Sequence, residues 1–352
     1  MDRKALKSIA RRAQQGTPIV DGETVTFFWR GSRPPRLLND MNDWDAAQAP
    51  LLVAAAPGVW LYSIRLPRDA YLEYAYFLDG ERVLDPLNPH STPNGMGQVN
   101  NTLYMPEAAP TPLARRRRAV PHGRVTRHMV ETDGLAIGNR RGATLYQPPT
   151  TEPCPLLVVL DGQDYNRRAR LPNVIDNLIA ADRIRPVALA LVDHAGAGRI
   201  VEYGGCEPAV RFFLAQVLPL ARRELNLIDV DAHPGAYGVC GASMGGLMAL
   251  YMALRAPHVF GHVLSQSGAF DLPDGDLAEF LIRNSPARPI RTWMDVGRFE
   301  WLLTANQQMH ALLVEKGYAV AYREYNGGHN YASWRDDVWR GLEWLYGREG
   351  SS

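Results

Sequence analysis

The chain is predicted to fold as a mostly parallel α/β sheet covered by helices on both faces, preceded by a small all-β, immunoglobulin-like sandwich. Three observations predict it. Residues 17–105 hold short strand-like runs broken by turn signals, with few helical patterns. From Gly123 onward, continuous apolar strands alternate with amphipathic helices, the pattern of a parallel sheet buried on both sides. Between them lies a Pro- and Arg-rich stretch at 106–122 that reads as a linker. The expected organisation is a basic helix at 1–16, the sandwich at 17–105, the linker at 106–122 and the α/β domain at 123–352.

Composition narrows the class. With 352 residues, 46% hydrophobic and 21% charged, the chain has the profile of a globular protein with room for two domains. A formal net charge of +1 supplies no global field toward nucleic acid or membrane, so electrostatic recognition has to be local. No apolar run is long enough to span a bilayer. Met1–Arg12 lacks the apolar core of a secretory signal, which points to the cytoplasm. Cys154, Cys206 and Cys240 lack metal spacing and read as buried free thiols, compatible with a reducing compartment. Neither a metal nor an organic cofactor is expected.

In the sandwich, Glu23–Arg30 is strand-like, and Arg36–Trp44 runs from a strand into a loop. Gly58–Leu66 and Tyr71–Leu78 alternate, and Asp79-Gly80 turns the chain into Glu81–Leu84. Trp44, Trp60 and Tyr76 are read as core aromatics rather than sugar-stacking platforms. The run Arg115–Arg118 in the linker is read as a solvated charge run rather than a nucleic-acid site. In the second domain, Arg124–Val130 and Arg141–Tyr146 form an edge hairpin, and Pro155–Leu160 is a buried strand. Helix 172–181, strand Val187–Val192 and a long helix Glu207–Glu224 follow. His262–Ser267 and Arg291–Val296 are strands, Ala305–Lys316 a helix, Ala319–Tyr325 a strand and Ser333–Tyr346 the closing helix.

The chemistry centres on Ala236–Gly246, an apolar strand running into Gly241-Ala-Ser-Met-Gly245 and then a helix from Leu247 to Arg255. G-x-S-x-G between a strand and a helix is a nucleophile elbow: the tight turn exposes Ser243 Oγ and aims the helix N-terminus at it. This is the arrangement of an α/β-hydrolase. A serine hydroxyl needs a base to take its proton. His329, in Gly327-Gly-His-Asn330 just after the last strand, is the candidate, with His194 as its rival. An acid should follow the strand Arg291–Val296; Glu300 in the next loop is favoured over Asp295, and a serine–histidine dyad stays open. The oxyanion hole would use the Met244 amide and one from Asp161–Asp164, assigned to Gln163. Arg167, Arg168, Arg170 and Arg199 cluster near that loop and suit an anionic substrate.

Several motifs carry a resemblance. N-D-x-N-D-W at 39–44, G-V-W at 58–60, and D-P-x-N-P at 85–89 are similar to early-set sandwiches of the glycogen-binding type. F-F-W-R-G at Phe27–Gly31, L-D-G-Q at Leu160–Gln163, R-x-x-E at Arg199–Glu202 and F-F-L-x-x-V-L-P at Phe212–Pro219 match the enterochelin esterases. G-x-S-M-G-G at Gly241–Gly246 and G-G-H-N-Y-x-x-W-R at Gly327–Arg335 complete the set. The chain therefore resembles esterase-D-like hydrolases, and enterochelin esterases most closely. That resemblance implies hydrolysis of the ester bonds in a catecholate siderophore trilactone, with a strongly anionic ferric catecholate as the small-molecule partner. The sandwich motifs keep a second reading open, a feruloyl or acetyl-xylan esterase. A non-catalytic glycan-binding protein and an acyltransferase are further alternatives.

Overall fold

The computed structural model describes residues 3–95, 97–272 and 275–348, in two compact units. The first runs through Pro110 and takes in two later segments, Gly297–Trp301 and Tyr325–Ser333. The second takes Thr111–Val296, Leu302–Glu324 and the described chain from Trp334 onward.

The first unit opens with the basic helix α1 (Arg3–Ala13) and continues as a sandwich. One sheet holds β1 (Ile19–Asp21), β2 (Thr24–Arg30), β4 (Val53–Ala56) and β5 (Val59–Arg65), in the order β1-β2-β5-β4. The other orders β3 (Arg36–Asn39), β6 (Tyr71–Leu78), β9 (Val99–Tyr104) and β8 (Ser91–Pro93), with β7 (Glu81–Val83) paired to β6. Their inner faces share one core, in which Phe27, Leu37, Leu72, Tyr74 and Tyr76 are buried. Tyr76, read from the sequence as a core aromatic, is wholly buried and donates its hydroxyl to the Phe28 carbonyl at 3.0 Å.

β6 departs from the alternation expected of it. Its first six residues are all buried. Leu72, Tyr74 and Tyr76 face the sandwich core, so the period of 2 sends Glu73, Ala75 and Phe77 to the other face. That outer face is covered rather than solvated, and it becomes a wall of the cavity described below.

The second unit is built on an eight-stranded sheet. Its strands are β10 (Arg124–Glu131), β11 (Arg140–Gln147), β12 (Leu156–Val159), β13 (Ala188–Val192), β14 (Tyr237–Ala242), β15 (Phe260–Gln266), β16 (Arg291–Gly297) and β17 (Ala319–Tyr325). They lie in the order β10-β11-β13-β12-β14-β15-β16-β17. β10, β11 and β13 pair antiparallel, and β13 through β16 pair parallel. The central strands are apolar throughout because helices cover both faces. This is the α/β-hydrolase sheet that the sequence predicts.

Helices α2 (Gly162–Arg167), α3 (Leu171–Ala180), α4 (Arg199–Glu202), α7 (Met244–Arg255), α8 (Gly275–Asn284), α9 (Leu303–Glu315) and α10 (Tyr331–Tyr346) follow their strands in turn. The long helix expected at Glu207–Glu224 is interrupted. α5 (Glu207–Phe212) and α6 (Leu218–Glu224) are joined by a π turn at Phe213–Val217. Pro219 explains it: the ring has no N–H to donate and would crowd the carbonyl one turn earlier, and the wider turn relieves both faults. Cys154 and Cys240 are buried free thiols, whereas Cys206 is half-buried. Arg115–Arg118 are all exposed, as a solvated charge run should be.

Candidate active site

In the second unit, β14 delivers the chain to Ser243, whose φ of 58° and ψ of −125° are strained for any residue with a side chain. The glycines around it answer close approaches. A methyl on Gly241 would sit 2.4 Å from the Gly245 carbonyl oxygen, and one on Gly246 would sit 2.7 Å from Ser265 Oγ. The Ser243 N–H donates to the Gln266 carbonyl at 2.9 Å, and its carbonyl accepts from the Leu247 and Ala269 amides at 3.1 and 3.0 Å. The turn is thus fixed from both sides. Met244 is the first residue of the twelve-residue α7, where leading amides have no partner inside the helix and the dipole favours negative charge.

Gln163 stands in the first turn of α2, entered through Asp161 in the left-handed conformation (φ 53°). Its side-chain oxygen accepts the His194 amide at 3.1 Å, tying that loop to the end of β13. Arg199 grips Asp161 through two bonds of 2.7 and 2.6 Å and reaches the Ala242 carbonyl at 3.1 Å. Its fork therefore braces the elbow against the α2 turn. Arg168 lies 3.8 Å from Asp164, and Arg167 and Arg170 are exposed. His194 Nδ1 accepts the Gly196 amide at 2.8 Å, a local loop contact.

In the first unit, two segments bring His329 and Glu300 together. His329 Nδ1 lies 2.5 Å from Glu300 Oε2, and Glu300 Oε1 accepts the Gly297 amide at 2.6 Å. Glu300 is buried. Backbone bonds staple the two loops: the Arg298 amide donates to Tyr325 at 2.8 Å and the Phe299 amide to Gly327 at 3.0 Å. The glycines of the histidine loop permit contact rather than freedom. A methyl on Gly297 would lie 2.2 Å from the Gly327 carbonyl oxygen, and one on Gly328 would lie 2.3 Å from Asp40 Cβ and Cγ. Asp295 sits elsewhere: its carboxylate, fully buried, accepts from Trp293 Nε1 at 2.8 Å and from Gln266 Nε2.

The N-D-x-N-D-W motif has a structural purpose that sequence reasoning missed. Asn39 and Asn42 close a capping box on a short 3₁₀ turn, which buries Asp40. Asp40 accepts from the Glu73 amide at 2.8 Å, Trp44 Nε1 at 3.3 Å and Asn330 Nδ2 at 3.3 Å. Burial first, and then the Glu73 charge, pushes its carboxyl well above the usual range. Asn330 also accepts the Ser333 amide at 2.9 Å and so caps α10. The residue after His329 is held from both ends.

Beside this loop, within the first unit, opens a cavity of about 440 Å³ whose wall includes His329, Trp301, Trp44, Phe77 and Arg82. Trp301 packs on the His329 ring at 4.6 Å between centroids, and Arg82 lies over the Trp44 ring at 4.1 Å. Arg82 and Trp301 escaped the sequence reading; only the proximity of Trp301 to Glu300 could have flagged one of them.

The chain can now be set against known proteins. The Esterase family model matches residues 135–345, more than half of the chain. An iron(III) enterobactin esterase of Dickeya dadantii is 30% identical, the alignment covering 95% of this chain and 91% of that protein. The chain belongs to the Esterase family, among its enterochelin esterase-like members. It is a carboxylic ester hydrolase. An iron(III) salmochelin esterase of Escherichia coli is 26% identical over 94% of this chain and 90% of its own. The enterobactin esterase of Shigella flexneri, crystallised in the presence of enterobactin, superimposes with a TM-score of 0.76 at 25% identity, covering 93% of this chain and 94% of its own.

Proposed function

We propose that this chain hydrolyses the ester bonds of a catecholate siderophore trilactone through an acyl-enzyme on Ser243. His329 takes the Ser243 Oγ proton as the oxygen attacks the ester carbonyl carbon. Glu300 fixes the imidazole and offsets its positive charge. The Met244 amide, with a second from Gln163, stabilises the oxyanion, each such donor being worth about 10²–10³ in rate. The imidazolium then protonates the departing alkoxide. Water attacks the acyl-enzyme with His329 again as base, and the free acid leaves.

The observation that carries the substrate reading is the reach of the likeness to siderophore esterases. It runs through 95% of this chain, sandwich included, rather than stopping at the hydrolase sheet. The strained elbow and the His329–Glu300 pair support the chemistry. Glu300 is preferred to Asp295 because Glu300 reaches the imidazole while Asp295 is engaged by Trp293 and Gln266. The exposed arginines Arg167 and Arg170 remain candidates for long-range attraction of an anionic substrate, whereas Arg199 acts as a brace. Residues 17–105 are assigned to the early-set module and 123–352 to the catalytic domain, joined by 106–122. A cytoplasmic site of action fits the unpaired thiols of Cys154 and Cys240.

A hydrolysis panel tests the reading: a catecholate trilactone, its ferric complex, methyl ferulate and p-nitrophenyl acetate. The trilactone or its ferric complex should have the highest kcat/KM. Preference for methyl ferulate would overturn the assignment.

A further inference from the structure

We propose that the 440 Å³ cavity beside His329 receives one hydroxylated aromatic arm of the substrate, with Arg82 as the specificity residue that meets its phenolic oxygens. This deepens the siderophore reading and rests on it.

Size admits an aromatic arm. The cavity lies near the lower end of the roughly 300–1,000 Å³ range of small-molecule pockets. It has room for a substituted benzoyl group. Its surfaces suit a flat ring, since Trp44, Trp301 and Phe77 contribute to the wall. With His329 on the same wall, whatever enters lies next to the proposed base.

Arg82 supplies the polar recognition. Its guanidinium is half-buried, and burial lowers its pKa. Nη1 donates to the Gln98 side-chain oxygen at 3.1 Å and Nη2 to that of Asn100, while Nε is buried with no partner. Among the described residues, no carboxylate lies within salt-bridge distance of it. A guanidinium offers five N–H donors, so two amide oxygens leave much of its capacity for a ligand. Asp40, Asp43 and Glu73 share the wall with Arg82, and each is held by another donor, Asp43 by the Trp301 backbone. Glu73 accepts from Tyr71 Oη at 3.0 Å and Asn100 Nδ2 at 2.6 Å, and Asp40 accepts from three donors. Asn100 therefore fixes Arg82 and Glu73 together and keeps the cation aimed along the wall.

The test uses full-length protein carrying Ser243→Ala, which cannot turn over. It is titrated calorimetrically with N-(2,3-dihydroxybenzoyl)serine and with N-benzoylserine. The dihydroxy compound should bind about tenfold more tightly or better, as expected for hydrogen bonds to a charged donor. Adding Arg82→Gln should shrink that ratio below about threefold, and Arg82→Lys should restore part of it. Equal affinity for both compounds, an Arg82→Gln change that weakens both alike, or displacement by methyl glucoside would each overturn the proposal. Trilactone hydrolysis by the unmodified protein is measured in parallel. Hydrolysis with an Arg82-independent ratio sinks only the pocket assignment; no hydrolysis sinks the substrate reading.

Discussion

Replacing Glu300 by Gln removes a charge while keeping the shape, and the local bonds dictate how the amide must sit. The Gly297 amide is a buried donor, 2.6 Å from Glu300 Oε1. It needs an acceptor, so the carboxamide oxygen of Gln has to stay there. The NH₂ then occupies the Oε2 position, 2.5 Å from His329 Nδ1. A donor facing Nδ1 turns that nitrogen into an acceptor and moves the ring proton to Nε2. The imidazole can no longer accept the serine proton, and the charge that stabilised the imidazolium is gone. We expect kcat to fall about 10³–10⁴-fold, or ~4–5.5 kcal/mol of barrier. Thermal stability should change little, because the buried Gly297 amide keeps its acceptor. Glu300→Ala would behave differently, leaving the Gly297 amide without an acceptor at a cost of about 1–3 kcal/mol in stability. The assay is burst and steady-state kinetics on an aryl ester, with thermal unfolding alongside. A Glu300→Gln protein within tenfold of the parent kcat would refute the reasoning.

Two further predictions follow from packing and burial. Gly328→Ala drives a methyl to 2.3 Å from Asp40 Cβ and Cγ. It should destabilise by about 1–3 kcal/mol and displace the histidine loop, lowering kcat by at least about tenfold, whereas Gly317→Asn, at φ 78° with nothing within 4 Å, brings a residue that tolerates the left-handed region and leaves kcat unchanged. Thermal unfolding and kcat of the two variants decide it. His262 is held neutral: burial first, and then the Arg185 charge, pushes its pKa down to about 4. An unfolded histidine titrates near ~6.5, so between those values the unfolded chain binds the extra proton and stability falls as pH drops. The loss should reach up to about 3 kcal/mol by pH 4. Urea midpoints of the parent and His262→Gln from pH 7 to 4 should converge as acid is added; parallel curves would contradict this.

Much of the fold was legible in the sequence because its signals are local. The elbow announces itself by glycine spacing between an apolar strand and a helix, and the late loops carrying Glu300 and His329 are marked by where strands end. The remainder depends on contacts between distant residues. Asp40 and Asn330 are 290 positions apart, so nothing in the motif at 39–44 discloses that it supports the histidine loop. For the same reason, nothing in the sequence marks Gly327 and Gly328 as sites of close packing. Arg82 looks like any hairpin cation until the Asn100 and Trp44 side chains are placed around it. The outer face of β6, with Glu73 on it, is buried only because other segments cover it, which the strand's own pattern cannot disclose.

The central claim is that Ser243 is a nucleophile activated by His329. A fluorophosphonate probe tests it most directly, since it forms a covalent bond only with an activated serine. Mass spectrometry of the digested protein should find the adduct on the peptide holding Ser243, and His329→Ala should abolish it. An adduct on another residue, or labelling of Ser243 undiminished by His329→Ala, would contradict the account.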